Sequence, residues 1–477
     1  MTRPALTAGD LARPRRIHLI AISGTGMNAY AAVLASQGHR VTGSDLAPKP
    51  EIVERLRALG VTVRPGHSAE NLPPDVEIVA ASTAVPSTNP EAVEAVRRGI
   101  TVLRRADLLA ALAGMRPTLA VAGTHGKTTT TALLATALEG AGLHPSFVVG
   151  ATVLGLDGGA RWDPAGDLFA VEADESDGTF LELPRCAAIV TNVEADHLAH
   201  YGGASGLFAA FDRFAAETPG PLVVCADDPG AANLPAVLAA RSRPVSTGLT
   251  VTTYGMTAAS DARMLDVHER RDSVAFTLAL PDRLGGVRVA VSLPVPGLHN
   301  ARNAAGALTL AVAAGASPLR AGNALARFAG VARRFQHKGV AGGVAFIDDF
   351  AHLPGEVSQA IATAVVGGHR RVVAVFQPHR YSRTEELSAD FAHAFDGADL
   401  LVVAGIYAAG EAPRAGITGR LVADAAAHAH MTYVERRDEL AAHVCSLVRP
   451  GDLCLTIGAG DVADLADEVA ALLGGAR

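Results

Sequence analysis

Residues 118–139 read TLAVAGTHGKTTTTALLATALE. An apolar strand pattern runs into an alanine-rich helical pattern across the junction Gly123-Thr124-His125-Gly126-Lys127-Thr128. The chain holds three lysines, at 49, 127 and 338, among 41 basic residues, and one of them stands in this junction. A glycine turn between strand and helix leaves backbone N–H groups free to face an anion, and the helix dipole adds partial positive charge at the same point. Gly123 and Gly126 let the backbone approach a phosphate closely. Lys127 then supplies a full charge to β- and γ-phosphates, and Thr128, followed by Thr129, a hydroxyl for Mg2+. The G-x-x-G-K-T spacing is shorter between its glycines than the general phosphate-loop pattern, so the strand–loop–helix context carries the assignment. The alternative is an ordinary helix start capped by threonine.

Working outward, 477 residues exceed one core and imply several domains. The chain is 49% hydrophobic and 19% charged, with a formal net charge of -7. That balance argues against a broad nucleic-acid footprint while leaving room for a local anion pocket. The cysteines at 186, 225, 445 and 454 are scattered without metal spacing and fit reduced thiols of a cytoplasmic protein. The N-terminal stretch lacks the apolar segment of a signal peptide, and no apolar run reaches membrane-spanning length, so no membrane insertion is expected.

Strand and helix patterns alternate through three successive α/β domains, expected at residues 1–113, 114–328 and 329–477. The first opens with RRIHLIAISGTGMNAYAAVLASQGHRVTGSD, a βαβ unit. In the second, LFAVEADES, CAAIVTNVEADH and PLVVCADDP read as strands ending in polar residues, and SVAFTLALPDRLGGVRVAVSL as an antiparallel hairpin annex. In the third, VAFIDDF, RVVAVFQPH, DLLVVAGIY and DLCLTIGAGD alternate with helices, again a Rossmann-like parallel pattern. Ligands gather at the carboxyl ends of such strands, where the polar motifs lie.

A bound triphosphate needs a metal. Glu172 and His197 end consecutive strands of the domain that carries Thr128 and are candidates to share its crevice; a strand-end surface histidine is the plainer reading of His197. In the first domain, Gly24-Thr25-Gly26-Met27 followed nineteen residues after Gly26 by Asp45 is a G-x-G-x-x-A dinucleotide fingerprint, for which an NAD-dependent oxidoreductase is one reading.

Together, GTHGKTTTT, EADESD, TNVEADH, FQPHRYSRT and DDFAH resemble the Mur ligases, and within them the branch that adds the first amino acid of peptidoglycan synthesis. The resemblance runs in order from Ile17 to Asp461. It implies a UDP-sugar-binding Rossmann-like domain, a central ATP-binding phosphate-loop domain, and a C-terminal domain that brings the amino acid and closes over the site. The reaction implied is amide ligation: ATP phosphorylates the carboxylate of UDP-N-acetylmuramate, and L-alanine captures the acyl phosphate. A ligase of the same chemistry with a murein tripeptide as amine is the sibling alternative. On this resemblance Gly123 to Thr129, with Thr124 and His125 among them, hold ATP; Thr128, Glu172 and His197 hold Mg2+; and Asn300 and Asn303 lie on the adenine side. Arg334 and Asp349 touch the nucleotide from the third domain. Lys127, His197, His352, Arg380 and Arg383 serve the chemistry, with His379 beside them on the substrate side. The fingerprint becomes a UDP-diphosphate site, joined by Asp45, His67 and Arg105. The chain departs from the family pattern at Ala21, Ser23, Ala151, Leu298, Phe350 and Leu353. A monomer or homodimer is expected.

Overall fold

The computed structural model describes residues 6–156, 158–195, 198–240 and 248–474. The expected α/β class is observed, in three sheets. Strands β1 (Arg16–Ile20), β2 (Arg40–Asp45), β3 (Thr62–Pro65), β4 (Ile78–Ala81) and β5 (Val102–Arg104) form a parallel sheet in the order β3-β2-β1-β4-β5. The order reverses between β1 and β4, and the glycine turn after β1 opens there onto the helix Thr25–Ser36.

The second sheet has ten strands: β6 (Thr118–Ala122), β7 (Ser146–Val153), β8 (Gly158–Arg161), β9 (Phe169–Glu172), β10 (Ala187–Val190), β11 (Pro221–Cys225), β12 (Thr250–Gly255), β13 (Ala262–Glu269), β14 (Val274–Ala279) and β15 (Arg288–Leu293). Their order is β15-β14-β13-β12-β11-β10-β6-β9-β7-β8. The expected hairpin is present, with Val274 opposite Leu293 and Ala279 opposite Arg288. It extends the edge of the same ten-stranded sheet, as an antiparallel annex to the parallel strands. Every residue of β6 is buried, as a parallel strand covered on both faces requires. The helix Lys127–Gly140 that follows is buried nearly all round, its threonines included, because the sheet and neighbouring helices enclose it. One of these approaches so closely that a Cβ on Gly140 would sit 2.0 Å from the Ala324 methyl.

The third sheet contains β16 (Gln336–Ala341), β17 (Val344–Asp349), β18 (Val372–Phe376), β19 (Leu400–Ala404), β20 (Met431–Val434) and β21 (Leu453–Ile457), in the order β16-β17-β21-β18-β19-β20. Only β16 runs antiparallel to its neighbour. Alternate residues feed two cores: Val372, Ala374 and Phe376 on one face, Val373 and Val375 on the other. β16 and β20 carry half-exposed, polar patterns, which is why no apolar run announced them.

The chain falls into two compact units, one built from the first two sheets and one from residue 330 onward, with Glu269–Ser273 and Val295–Gly297 grouped with the latter.

Candidate active site

In the first unit, β6 lies between β9 and β10, so the loop 123–126 is flanked by the ends of both. Its backbone is laced to the end of β10. The His125 N–H donates to Asn192 Oδ1 at 2.8 Å, the Asn192 amide donates back to the His125 carbonyl at 3.0 Å, and the Thr191 hydroxyl donates to the same carbonyl at 2.7 Å. Thr124 Oγ1 accepts from the Glu194 N–H at 2.9 Å. Both glycines are required by their surroundings. Gly123 has φ 138°, and a Cβ there would lie 2.0 Å from Thr191 Oγ1; Gly126 has φ 78°, and a Cβ would lie 2.7 Å from Asn303 Oδ1. Asn303 therefore abuts the loop itself, while Asn300 is buried on the same helix, Leu298–Ala313. Thr128 and Thr129 are buried in the first turn of the helix 127–140.

The Lys127 ammonium donates to the carbonyls of Gly123 at 2.7 Å and Thr124 at 3.1 Å and to Glu175 Oε2 at 2.7 Å. Glu175 is 1% exposed, and its second oxygen is buried with no hydrogen-bond partner among the described residues. Burial raises its pKa against the opposing pull of Lys127. For Lys127, burial acts to lower the pKa, but the charges of Glu175 and Asp174 outweigh it and raise the value. Glu172 sits at the end of β9, where the Gly150 N–H donates to its Oε1 at 2.6 Å; a Cβ on Gly150 would come within 2.9 Å of the carboxylate. His197 lies outside the described residues.

At the first sheet, the Ser23 N–H donates to Asp45 Oδ2 at 3.0 Å and the Ala47 N–H to Asp45 Oδ1 at 3.1 Å, so Asp45 ties the turn after β1 to the end of β2. Ala21 holds φ 61°, a left-handed conformation that glycine adopts without cost. Met27 is a core side chain, 1% exposed, so what it offers a ligand is its first-turn N–H, together with those of Thr25 and Gly26. Arg105 runs past Gly26 and reaches Asp174 Oδ2 at 3.4 Å. His67 follows β3, and its Nδ1 is 3.0 Å from Ser44 Oγ.

In the second unit the candidate residues gather around the carboxyl ends of β17 and β18, with Arg334 just before β16. Asp349 accepts from the Phe335 and Ala351 N–H groups, each at 2.7 Å. Burial pushes its pKa up to about 6 although Arg334 opposes the shift. The guanidinium of Arg334 lies 5.2 Å from the Phe350 ring centroid and that of Arg333 5.1 Å from it. His352 packs edge-on to His379 at 5.6 Å, and His379 stacks on Tyr407 at 5.9 Å with planes 11° apart. Arg383 donates to His379 Nδ1 at 3.0 Å. Burial, then His352 and the two arginines, push the His379 pKa down to about 3, so this imidazole is neutral. Arg380 is exposed, and its backbone holds φ 72°, strain of the kind stored at functional loops.

Several residues here carry no expectation from sequence: Glu175, Asn192 and Tyr407. The first two stand inside quoted motifs, EADES and TNVEADH, where a carboxylate and an amide beside the rare lysine were the available signal. Tyr407 lies far along the chain from His379, and only the pairing of the two loops after β18 and β19 brings it there.

Three family models match in order: the Mur ligase family catalytic domain at residues 16–116, the Mur ligase middle domain at 121–311, and the Mur ligase glutamate ligase domain at 333–460. The chain is 45% identical to the UDP-N-acetylmuramate–L-alanine ligase of Kineococcus radiotolerans, covering 99% of each chain. The structure resembles the UDP-N-acetylmuramate–alanine ligase of Thermotoga maritima with a TM-score of 0.81 at 27% identity, over 97% of this chain and 100% of that one. A murein peptide ligase from Psychrobacter arcticus shares the fold, with a TM-score of 0.72 at 24% identity, over 96% and 99% of the two chains. With family models along most of its length and a relative this similar from end to end, the chain belongs to the Mur ligase family.

Proposed function

We propose that this chain is an ATP-dependent ligase that joins the amine of L-alanine to the carboxylate of UDP-N-acetylmuramate, a step of peptidoglycan synthesis carried out in the cytoplasm. The observation that carries the reading is the phosphate loop with Lys127 held between two strand ends that each present polar side chains, in a chain 45% identical to a ligase of that name. Residues 1–113 are assigned to the UDP-sugar, 114–328 to ATP and 329–477 to the amino acid.

The residues present fit a divalent cation. The Thr128 hydroxyl, the Glu172 carboxylate and the unpartnered oxygen of Glu175 are hard oxygen donors of the kind Mg2+ prefers. When bound, Mg2+ neutralises phosphate charge and draws the reacting oxygens together. His197 is assigned to the same group from sequence alone. The Thr124 and His125 N–H groups are held by Asn192, so the N–H groups offered to the β- and γ-phosphates are those of the helix's first turn, Lys127, Thr128 and Thr129, and Lys127 exchanges its protein acceptors for the transferring phosphoryl oxygens. Asn192 keeps the loop in one conformation, so little reorganisation accompanies transfer. The carboxylate of the sugar attacks the γ-phosphorus, ADP leaves, and the amine of alanine displaces phosphate from the acyl group. In the second unit, Arg380 and Arg383 provide cations for the carboxylate of the amino acid, and His379, held neutral, adds no competing charge.

Phosphate release with ATP, Mg2+ and UDP-N-acetylmuramate, measured with alanine, serine, glycine and a murein tripeptide in turn, tests the reading. Alanine should give the highest kcat/KM; preference for the tripeptide would replace it with the sibling reading.

A further inference from the structure

The first sheet contains a buried polar relay. Glu91, fully buried at the start of the helix Pro90–Arg97, is aimed by Asn89, whose side chain accepts from the Glu91 and Ala92 N–H groups. Its Oε2 accepts from Ser44 Oγ at 2.6 Å and from His18 Nε2 at 2.8 Å. Its Oε1 accepts from the Ser68 N–H and the Asn71 amide, both at 3.1 Å, and lies 3.4 Å from His67 Nδ1. Burial acts to raise the pKa of this carboxyl, but hydrogen bonds from His18, Ser44 and Asn71 outweigh it and hold it at about 2. It is therefore an anion that only accepts.

The donors are then fixed by count. Ser44 has one hydroxyl proton, and Glu91 takes it. What remains on Ser44 Oγ is lone pairs, and these face His67 Nδ1 at 3.0 Å. An unprotonated Nδ1 would set lone pair against lone pair beside a carboxylate, so Nδ1 carries the proton. With the proton on Nδ1, the second ring nitrogen of the imidazole tautomer, Nε2, is the acceptor, and it has no hydrogen-bond partner among the described residues. Asn71 also donates to the Gly66 carbonyl at 3.1 Å, which pins the loop that bears His67.

Position says what this acceptor faces. Outward from the reversal of strand order, the carboxyl ends present the turn after β1, then Asp45 after β2, then His67 after β3. The Gly66 N–H donates to the Asp45 carbonyl at 2.7 Å, so the last two positions are adjacent. A diphosphate on the helix at Thr25 directs its nucleoside along this row.

We infer that Glu91 and Ser44 are positioning residues that fix the proton of His67 on Nδ1, so that Nε2 is presented as a hydrogen-bond acceptor to a donor group on the uridine moiety. The inference rests on the UDP-sugar assignment of the first domain. The donor is the uracil N3–H or a ribose hydroxyl. Cytosine carries a lone pair at N3 where uracil carries a proton, so a fixed acceptor discriminates between them in the first case.

The test uses the full chain labelled with 15N-histidine, the His67 signal being assigned by its loss in His67→Gln. The long-range 1H–15N spectrum of the unliganded protein should show His67 protonated on Nδ1. Glu91→Gln gives Ser44 a donor in place of an acceptor, and the proton should move to Nε2. UDP affinity should then fall at least tenfold with ATP affinity unchanged. N3-methyl-UDP and 2′-deoxy-UDP distinguish the two donors: the analogue that lacks the donor should bind the wild type weakly and lose nothing further in Glu91→Gln. Should Glu91→Gln not fold, His67→Gln, whose amide oxygen replaces Nε2, should keep UDP affinity within threefold while His67→Leu loses tenfold. A wild-type His67 protonated on Nε2, or UDP binding indifferent to the shift, overturns the inference. Failure of the wild type to bind UDP overturns the UDP assignment as well; UDP binding without amide formation overturns the ligase reading alone.

Discussion

Lys127 Nζ lies 2.7 Å from the Glu175 carboxylate, with the lysine side chain 14% exposed and the glutamate 1%. With two loop carbonyls as its other acceptors, the ammonium has all three protons committed inside the protein. An arriving phosphate must take the place of these partners, and Glu175, with an oxygen to spare, is the one able to change its own.

Removing Lys127 separates the two roles of this pair. Lys127→Ala should cut ligation by two orders of magnitude or more and leave UDP affinity within twofold, since the UDP assignment falls on another sheet. It should also cost about 3–5 kcal/mol of stability, because a buried carboxylate loses its counter-charge. Lys127→Met with Glu175→Gln should recover most of the stability and none of the activity. Chemical denaturation beside a coupled ADP assay reads both.

Gly123→Ala should abolish ATP turnover. The added methyl meets Thr191 Oγ1 at 2.0 Å and the backbone has φ 138°, so the loop has to leave its contacts with the end of β10. Nucleotide titration by calorimetry should show ATP binding lost, with the UDP isotherm intact.

Ala21→Gly should raise stability by up to about 1 kcal/mol. A left-handed alanine costs about 1–2 kcal/mol, and glycine gives back part of that gain through the flexibility of the unfolded chain. A thermal melt of the two proteins checks it; a lower Tm for the glycine variant contradicts the strain argument.

His379 should make stability fall in acid. Its folded pKa is about 3, while the unfolded imidazole titrates near about 6.5. Below the unfolded value the unfolded state takes up a proton that the folded state refuses. The stabilisation is therefore whole above about 6.5 and is lost as pH falls toward 3. His352, Arg383 and Arg380 cause the depression along with burial, and Glu411 opposes it. Asp349, raised to about 6, acts in the opposite sense: its contribution is present at low pH and lost as pH rises through that value. His379→Phe, which keeps a ring against Tyr407, should lose less stability than the wild type between pH 6.5 and 4. Denaturant midpoints across that range decide it.

Much of this architecture is legible in the sequence because its strands are buried on both faces. β10 and β18 are unbroken apolar runs, β6 and β21 carry a single threonine each, and all four are buried and followed by glycine or polar residues, so the strand and the mouth of the sheet are announced together. Lys127 and Thr128 stand out for the same reason. β16 and β20 do not, since their half-exposed, polar faces lack an apolar run. The partners of the candidate groups were hidden by distance along the chain. Glu175 meets Lys127 across 48 positions and Glu91 meets Ser44 across 47, and no local pattern encodes contacts made by adjacent parallel strands and their connections. Met27, carried as a ligand contact by its place in the fingerprint, is a core residue because the helix that starts there must bury one face on the sheet.

The most direct measurement follows an oxygen atom. UDP-N-acetylmuramate labelled with 18O in both carboxylate oxygens is converted with ATP, Mg2+ and L-alanine, and the released phosphate and the amide product are examined by mass spectrometry. Transfer of the γ-phosphoryl group to the carboxylate predicts one 18O in each phosphate released and one in each amide carbonyl. Phosphate free of 18O, with amide formed or not, contradicts it.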